Sequence, residues 1–203
     1  MIKKRLTGKK RKDQIVRVAT NLFVKKGFKG TTTREIARKA GISEAVIYKY
    51  FSKKEDLYKA IIAAKCDDDL GRSRLLSSLE GKKGRELFHE LALFLITENS
   101  TDQTLMRLLM QSALEQKELS EVFINLKGLE LIELLETNIK ALIKEGTFKD
   151  MDSGLAARAF LGMILHFVMC QEIYGLKKHF KRTTAEAAAT FVDIFFDGIS
   201  RRS

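Results

Sequence analysis

The chain has 203 residues, 45% apolar and 31% charged, with no proline, no tryptophan and 37 Lys+Arg against 26 Asp+Glu. That apolar share excludes a disordered chain, and a chain of this length buries roughly 70% of its unfolded surface. The only cysteines, Cys66 and Cys170, are too few for a disulfide scaffold and read as free thiols, so a globular cytoplasmic protein is expected.

Charge gathers at one end. Residues 1–65 carry 19 basic and 5 acidic side chains, whereas residues 66–203 carry 18 and 21. A basic third on a mildly acidic remainder points to a polyanion-binding head on a neutral body. At the start, Met1 to Arg5 is basic and is followed by more Lys and Arg where a signal peptide would place its apolar stretch, so no export signal is read there. Lys3, Lys4, Arg5, Lys9, Lys10, Arg11 and Lys12 form a possible tail, with residues 1–8 assigned as a basic arm. The arm is either solvated or groove-reaching, and both readings stay open.

Ile15, Val18, Ala19, Leu22 and Phe23 recur at helical spacing, which predicts a helix to about Lys26 that stops at Gly27. Thr32 with Glu35 predicts a capping box and a short second helix ending at Gly41. Ser43 is placed as the cap of a third helix, and Ser52 with Glu55 as a box opening a fourth. Two short helices joined by a glycine-containing turn describe a helix-turn-helix, whose second helix enters the DNA major groove. Small Ala37 permits close crossing, while Ile36, Ala40, Ile42, Ile47 and Phe51 supply a shared core. The other face then shows Glu44, Ala45, Tyr48 and Lys49, with Tyr50 alongside.

The run from Thr31 through Arg34-Glu35-Ile36-Ala37, Gly41-Ile42-Ser43 and Ile47-Tyr48-Lys49-Tyr50-Phe51 to Leu57 resembles the DNA-binding signature of the tetracycline-repressor (TetR)/AcrR-like family of transcriptional regulators. The likeness extends from about Lys9 to Ile62 and includes the Gly27-Phe28 corner. It implies an all-α chain: a three-helix DNA-binding head with a linking fourth helix over residues 9–65, and a helical ligand-binding and dimerisation domain over 66–203. It also implies a phosphate contact for Thr33, groove-facing positions for Ser43, Ala45, Tyr48 and Lys49, and phosphate contacts for Tyr50 and Lys53. Glu44 and Val46 depart from the family pattern. Glu44 either accepts from a cytosine amino group or supports its own helix N-terminus.

Beyond Lys65 the stretch from Cys66 to Lys83 reads as a helix end and connector, followed by helices at about 85–98, 102–116, 119–145, 152–176 and 184–201. Ala159 to Gln171 runs thirteen residues without a charge, short of the roughly 20 that span a bilayer, and reads as a buried core helix. The last two helices are apolar nearly all round and need a second covering surface. Either they lie at the centre of one monomer core, or, as the resemblance implies, they pair with their twins across a two-fold axis.

A ligand pocket would draw on Phe94, Met106, Leu109, Met110, Phe123, Phe160, Met163 and Phe167, with Gln111, His166 and Gln171 as polar groups; core packing explains the same residues. No catalytic residue, metal or cofactor is expected: His89-Glu90 begins like a zinc-protease motif, but Leu93 stands where the second His would fall. The reading is a homodimeric repressor on a near-palindromic operator, released by a small-molecule effector. The alternatives are a helix-turn-helix regulator without such an effector, and a helical enzyme or metal-binding domain.

Overall fold

The computed structural model describes residues 7–66, 69–115 and 117–199, and among these the regular structure is entirely helical. The helices in chain order are α1 (Gly8–Lys26), α2 (Thr33–Ala40), α3 (Glu44–Tyr48), α4 (Lys54–Cys66), α5 (Asp69–Leu79), α6 (Gly84–Thr101), α7 (Thr104–Glu115), α8 (Lys117–Phe123), α9 (Leu129–Lys144), α10 (Ser153–Val168) and α11 (Thr184–Ile199). They form two compact units: the described part of Met1–Asp67 with Thr104–Leu126, and that of Asp68–Gln103 with Lys127–Ser203.

In the first unit α1 presents Ile15, Ala19, Leu22 and Phe23 inward, the stripe its sequence spells out. Phe23 and Phe28 stack on each other at 5.8 Å and both meet the Tyr58 ring edge-on, at 5.0 and 5.4 Å between centroids. Such pairs add about 0.5–1.5 kcal/mol beyond the burial of their rings. Helices α7 and α8 close this core, with Leu108 and Leu119 fully enclosed in it. The segment 104–126 lies far along the chain, yet it groups with the basic head.

The second unit buries a larger ring cluster. Phe88 on α6 packs against Phe160 on α10 at 4.9 Å and against Phe195 and Phe196 on α11 at 5.5 and 5.3 Å, and Phe148 caps the group beside Phe196 at 4.9 Å. Arg85 bridges Asp193 and Asp197 across the outside of the α6–α11 pair at 2.6 and 2.8 Å.

Several expectations change. The connector from Cys66 to Lys83 contains a real helix, α5: its hydrophobic pattern is weak and Gly71 disfavours helix, but glycine in the first turn is tolerated and no proline interrupts Asp69–Leu79. The stretch 119–145 is divided by a π-helical turn at Ile124–Gly128, where an extra residue per turn shifts the apolar face. Lys9, Lys10, Arg11 and Lys12 belong to α1, although cations at a helix N-terminus oppose its dipole. The rest of the proposed arm, residues 1–6, lies outside the described residues.

Helix α10 runs on through a second π turn, so Ser153–Ile173 makes 21 helical residues whose most apolar stretch has a mean hydropathy of 1.6. That is long and apolar enough to cross a membrane, further than the thirteen charge-free residues suggest. Its Ala157, Phe160, Ile164 and Val168 are fully buried, while Leu155 and Leu165 remain exposed.

Candidate nucleic-acid interface

The geometry of the head follows from its caps. Thr32 sits in extended backbone before α2 and accepts the Glu35 amide at 3.1 Å. The reciprocal half of the expected box is missing because the Glu35 carboxylate is taken by Lys26 at 2.7 Å, whose ammonium also holds the Glu35 carboxyl below its usual range. Gly41 ends the helix in left-handed backbone, φ 64°, and the Ile42 amide returns to the Ala37 carbonyl at 3.1 Å. The turn thereby sets α3 across α2, with Ile36, Ala37, Ala40, Ile47 and Phe51 buried between them and Ile42 half-buried.

With those residues inward, the opposite face of α3 is open. Ser43, Ala45, Tyr48, Lys49 and Tyr50 are exposed, Glu44 is half-buried, and Lys53 projects just before α4. Ser43 occupies the cap position but makes no side-chain cap bond, so its hydroxyl is not spent on the helix as the sequence reading had it. Helix α4 starts one residue later than the Ser52–Glu55 box requires, with the Lys53 carbonyl as its first acceptor.

Thr33, at the first position of α2, donates its hydroxyl hydrogen to the Glu44 carboxylate. Arg34 approaches the other Glu44 oxygen at 4.0 Å, and the Tyr48 hydroxyl stands 3.3 Å from the Thr33 hydroxyl. Glu44 therefore ties the start of α3 to the start of α2, an arrangement that sequence spacing of eleven residues does not disclose.

Other head residues were invisible as contributors. Lys54 reads as one more surface cation, yet its ammonium donates to the carbonyls of Phe28 and Thr31 at 2.8 and 3.0 Å and lies 4.1 Å from the Phe28 ring centre. Burial pushes its pKa down. It clamps the Gly27–Thr31 corner to α4. Gln14 donates to the Ala40 carbonyl at 3.0 Å and fixes α1 to the end of α2. Helix α7 is tied to the head at three points: the Tyr58 hydroxyl of α4 donates to the Leu108 carbonyl at 2.7 Å, Gln111 donates to the Val24 carbonyl at 3.3 Å, and Glu115 accepts the Lys29 amide at 2.7 Å.

The residues named for a ligand pocket fall in both units. Met106, Leu109, Met110, Gln111 and Phe123 are in the first, whereas Phe94, Phe160, Met163, His166, Phe167 and Gln171 are in the second. Phe160 is wholly enclosed in the ring cluster and Phe167 stacks edge-on against Phe191 at 5.3 Å. His166 is exposed, with Nε2 3.4 Å from the Cys170 sulfur.

A family model described as bacterial regulatory proteins, tetR family, matches residues 15–61, and one described as AefR-like transcriptional repressor, C-terminal domain, matches residues 88–198. The repressor KstR2 of Rhodococcus jostii RHA1 is 29% identical over 154 residues, 73% of each chain. Two Bacillus subtilis regulators, 38% and 34% identical, are matched over only 39% and 27% of their own length. Among solved structures, AibR in complex with isovaleryl coenzyme A and operator DNA superposes with a TM-score of 0.71 at 23% identity, over 92% of this chain and 98% of that one. FadR of Bacillus subtilis with stearoyl-CoA gives 0.71 at 20% identity with the same coverage, and both likenesses are of fold. With its head matched by one family model and more than half its length by the other, the chain belongs to the TetR family of bacterial transcriptional regulators.

Proposed function

We propose that the protein is a cytoplasmic, homodimeric repressor that binds a near-palindromic operator through α3 and lets it go when an acyl thioester occupies the larger domain. It is not an enzyme in this reading. The observation that carries it is the outward presentation of Ser43, Ala45, Tyr48 and Lys49 on a helix whose other face is sealed into the head. Thr33, Tyr50 and Lys53 flank that helix as phosphate donors, which position the duplex, while α3 reads base edges.

Two copies are needed because one short helix contacts too few base pairs. Paired recognition helices meet successive major grooves when about 34–36 Å apart. The exposed Leu155, Ala159, Gly162 and Leu165 on α10, together with exposed Ile194 on α11, suit a self-complementary contact around a two-fold axis. Its small central residues let helices approach closely.

For the effector, the coenzyme A thioesters bound by AibR and FadR are the first compounds to try. Phe94, Met163 and Phe167, half-buried in the second unit, are proposed to meet the acyl chain, with His166 as a polar group nearby. Such a ligand releases DNA only as far as it binds the released conformation more tightly. The test is selection of duplexes from a random pool, then titration of the selected site with isovaleryl-CoA, stearoyl-CoA and free coenzyme A. A dimer that enriches an inverted repeat and leaves it on adding one thioester is the expected result. Failure to enrich any sequence overturns the operator reading; enrichment with no release by any thioester overturns the effector class.

A further inference from the structure

Thr33 and Glu44 are joined in the protein without DNA, although both stand on the face proposed to meet it. The Thr33 hydroxyl has one hydrogen, and it points to the Glu44 carboxylate. The Tyr48 hydroxyl, 3.3 Å from the Thr33 oxygen, is then the donor to that oxygen, so Tyr48, Thr33 and Glu44 form a chain ending on the carboxylate. Arg34, almost fully exposed, faces the second carboxylate oxygen at 4.0 Å. An anionic group with two oxygens thus sits at the first turn of α2, between a hydroxyl donor and a guanidinium, where a DNA phosphate would go. Glu44 is also the sole acidic residue of α3.

We propose that Glu44 is a built-in stand-in for the DNA phosphate: in the free protein it occupies the Thr33 hydroxyl, with the Arg34 guanidinium facing it at 4.0 Å, and it must give up that hydroxyl when a duplex docks in register. This rests on the DNA-binding reading above and concerns how selective that binding is. A carboxylate at this place weighs most on an unrelated duplex, where α3 is not seated in the groove and Glu44 keeps the Thr33 hydroxyl and sets its charge against the phosphates. Only a site that also satisfies α3 in the groove repays the displacement. Glu44 is therefore a specificity-determining residue that reads no base, which separates it from a cytosine reader.

The test uses the full-length protein with two probes, the duplex selected above and an unrelated duplex of equal length. Glu44→Gln keeps an acceptor for the Thr33 hydroxyl but removes the charge. It should bind the unrelated duplex roughly five- to tenfold more tightly at low salt, with a smaller gain on the selected one, so that the ratio between them falls. In a Thr33→Val background the Glu44→Gln gain should shrink to less than half, because the hydroxyl to be released is gone. Three results overturn the proposal: a loss of affinity confined to one base pair of the selected site, which makes Glu44 a base reader; no change on either duplex; or an undiminished gain in the Thr33→Val background, which makes the effect one of bulk charge. A wild-type protein that binds neither duplex overturns the regulator reading itself, and this one with it.

Discussion

Helices α1–α4 and the pair α10–α11 are built on the same inner plan and finished differently outside. Each centres on buried rings, Phe23, Phe28 and Tyr58 in one and, in the other, Phe160, Phe195 and Phe196 packed on Phe88 of α6. Outside, the large side chains left open near α3 are Tyr48 and Tyr50, which end in hydroxyls, whereas α10 and α11 leave Leu155, Leu165 and Ile194 open. A core of aromatic rings stabilises either unit and says nothing about its task. The outer surfaces carry the division of labour: hydroxyls and cations suit a wet, charged partner, and bare aliphatic groups suit a dry, self-complementary one.

The most drastic way to probe that contrast is to empty one core at a time. Phe23→Ala and Phe160→Ala each remove a fully buried ring and should cost about 3–5 kcal/mol. Hydrogen exchange locates the loss: Phe23→Ala should deprotect α1–α4 with α7 and α8 and leave α10 and α11 protected, and Phe160→Ala the reverse. Equal deprotection of both units by either variant would show one cooperative block and erase the distinction.

A smaller and more selective lever is alkaline pH. Burial pushes the Tyr58 hydroxyl up from 10 to about 12. A folded-state value above the unfolded one means that the stabilisation is complete below pH 10 and is lost as pH rises through about 12. A shift of that size corresponds to about 2–3 kcal/mol, all of it in the first unit. Melting followed between pH 9 and 12 should therefore weaken the head first, and Tyr58→Phe should flatten that alkaline limb. A Tyr58→Phe protein with the same alkaline slope as wild type would assign the loss to other groups.

On the DNA face the expected effects are smaller again. Lys49→Ala should cost about 1–3 kcal/mol on the selected duplex and relax preference at one position, while Lys53→Ala should weaken all duplexes alike and reduce the salt slope by about one. Uniform loss for Lys49→Ala would make it a phosphate contact, and an unchanged slope would remove Lys53 from that role. The comparison sharpens if exposed Lys177, paired with Glu172 at 2.8 Å in the second unit, gives no change in either measurement when replaced by Ala.

What could be read in the chain was local. The α1 stripe, the Thr32 cap, the Gly41 turn and the inward set of Ile36, Ala37, Ala40 and Ile47 all lie within a few residues of one another, and period and turn chemistry act at that range. Lys54 shows the limit. Its neighbours in sequence are charged, so nothing nearby marks it as the cation that clamps the carbonyls of Phe28 and Thr31. The bond from Thr33 to Glu44 and the seating of Glu115 on the Lys29 amide, 86 residues away, are products of tertiary packing. Weak periodicity hid α5, and the π turn at Ile124–Gly128 cannot be told from ordinary helix by spacing of apolar residues.

Two glycines offer the finest test of where backbone precision matters. Gly41 joins α2 to α3 with φ 64°, and Gly175 follows the π turn of α10 with φ 77°. A Cβ at either position would meet nothing within 4 Å, so substitution by Ala adds no collision and costs only the left-handed conformation, about 1 kcal/mol in each case. Gly41→Ala and Gly175→Ala should therefore lower the melting temperature by similar amounts. Their effects on DNA should diverge. Relief of strain at residue 41 rotates α3 against α2 and moves Ala45, Tyr48 and Lys49 off their base edges, so affinity for the selected duplex should fall several-fold while binding to an unrelated duplex, which depends on phosphate contacts, changes little. Gly175 lies in the other unit, where the same strain has no recognition helix to tilt, and its variant should bind both duplexes as wild type does. If Gly175→Ala also loosened the selected duplex, the orientation of α3 would be set from the second unit as well as from the turn beside it.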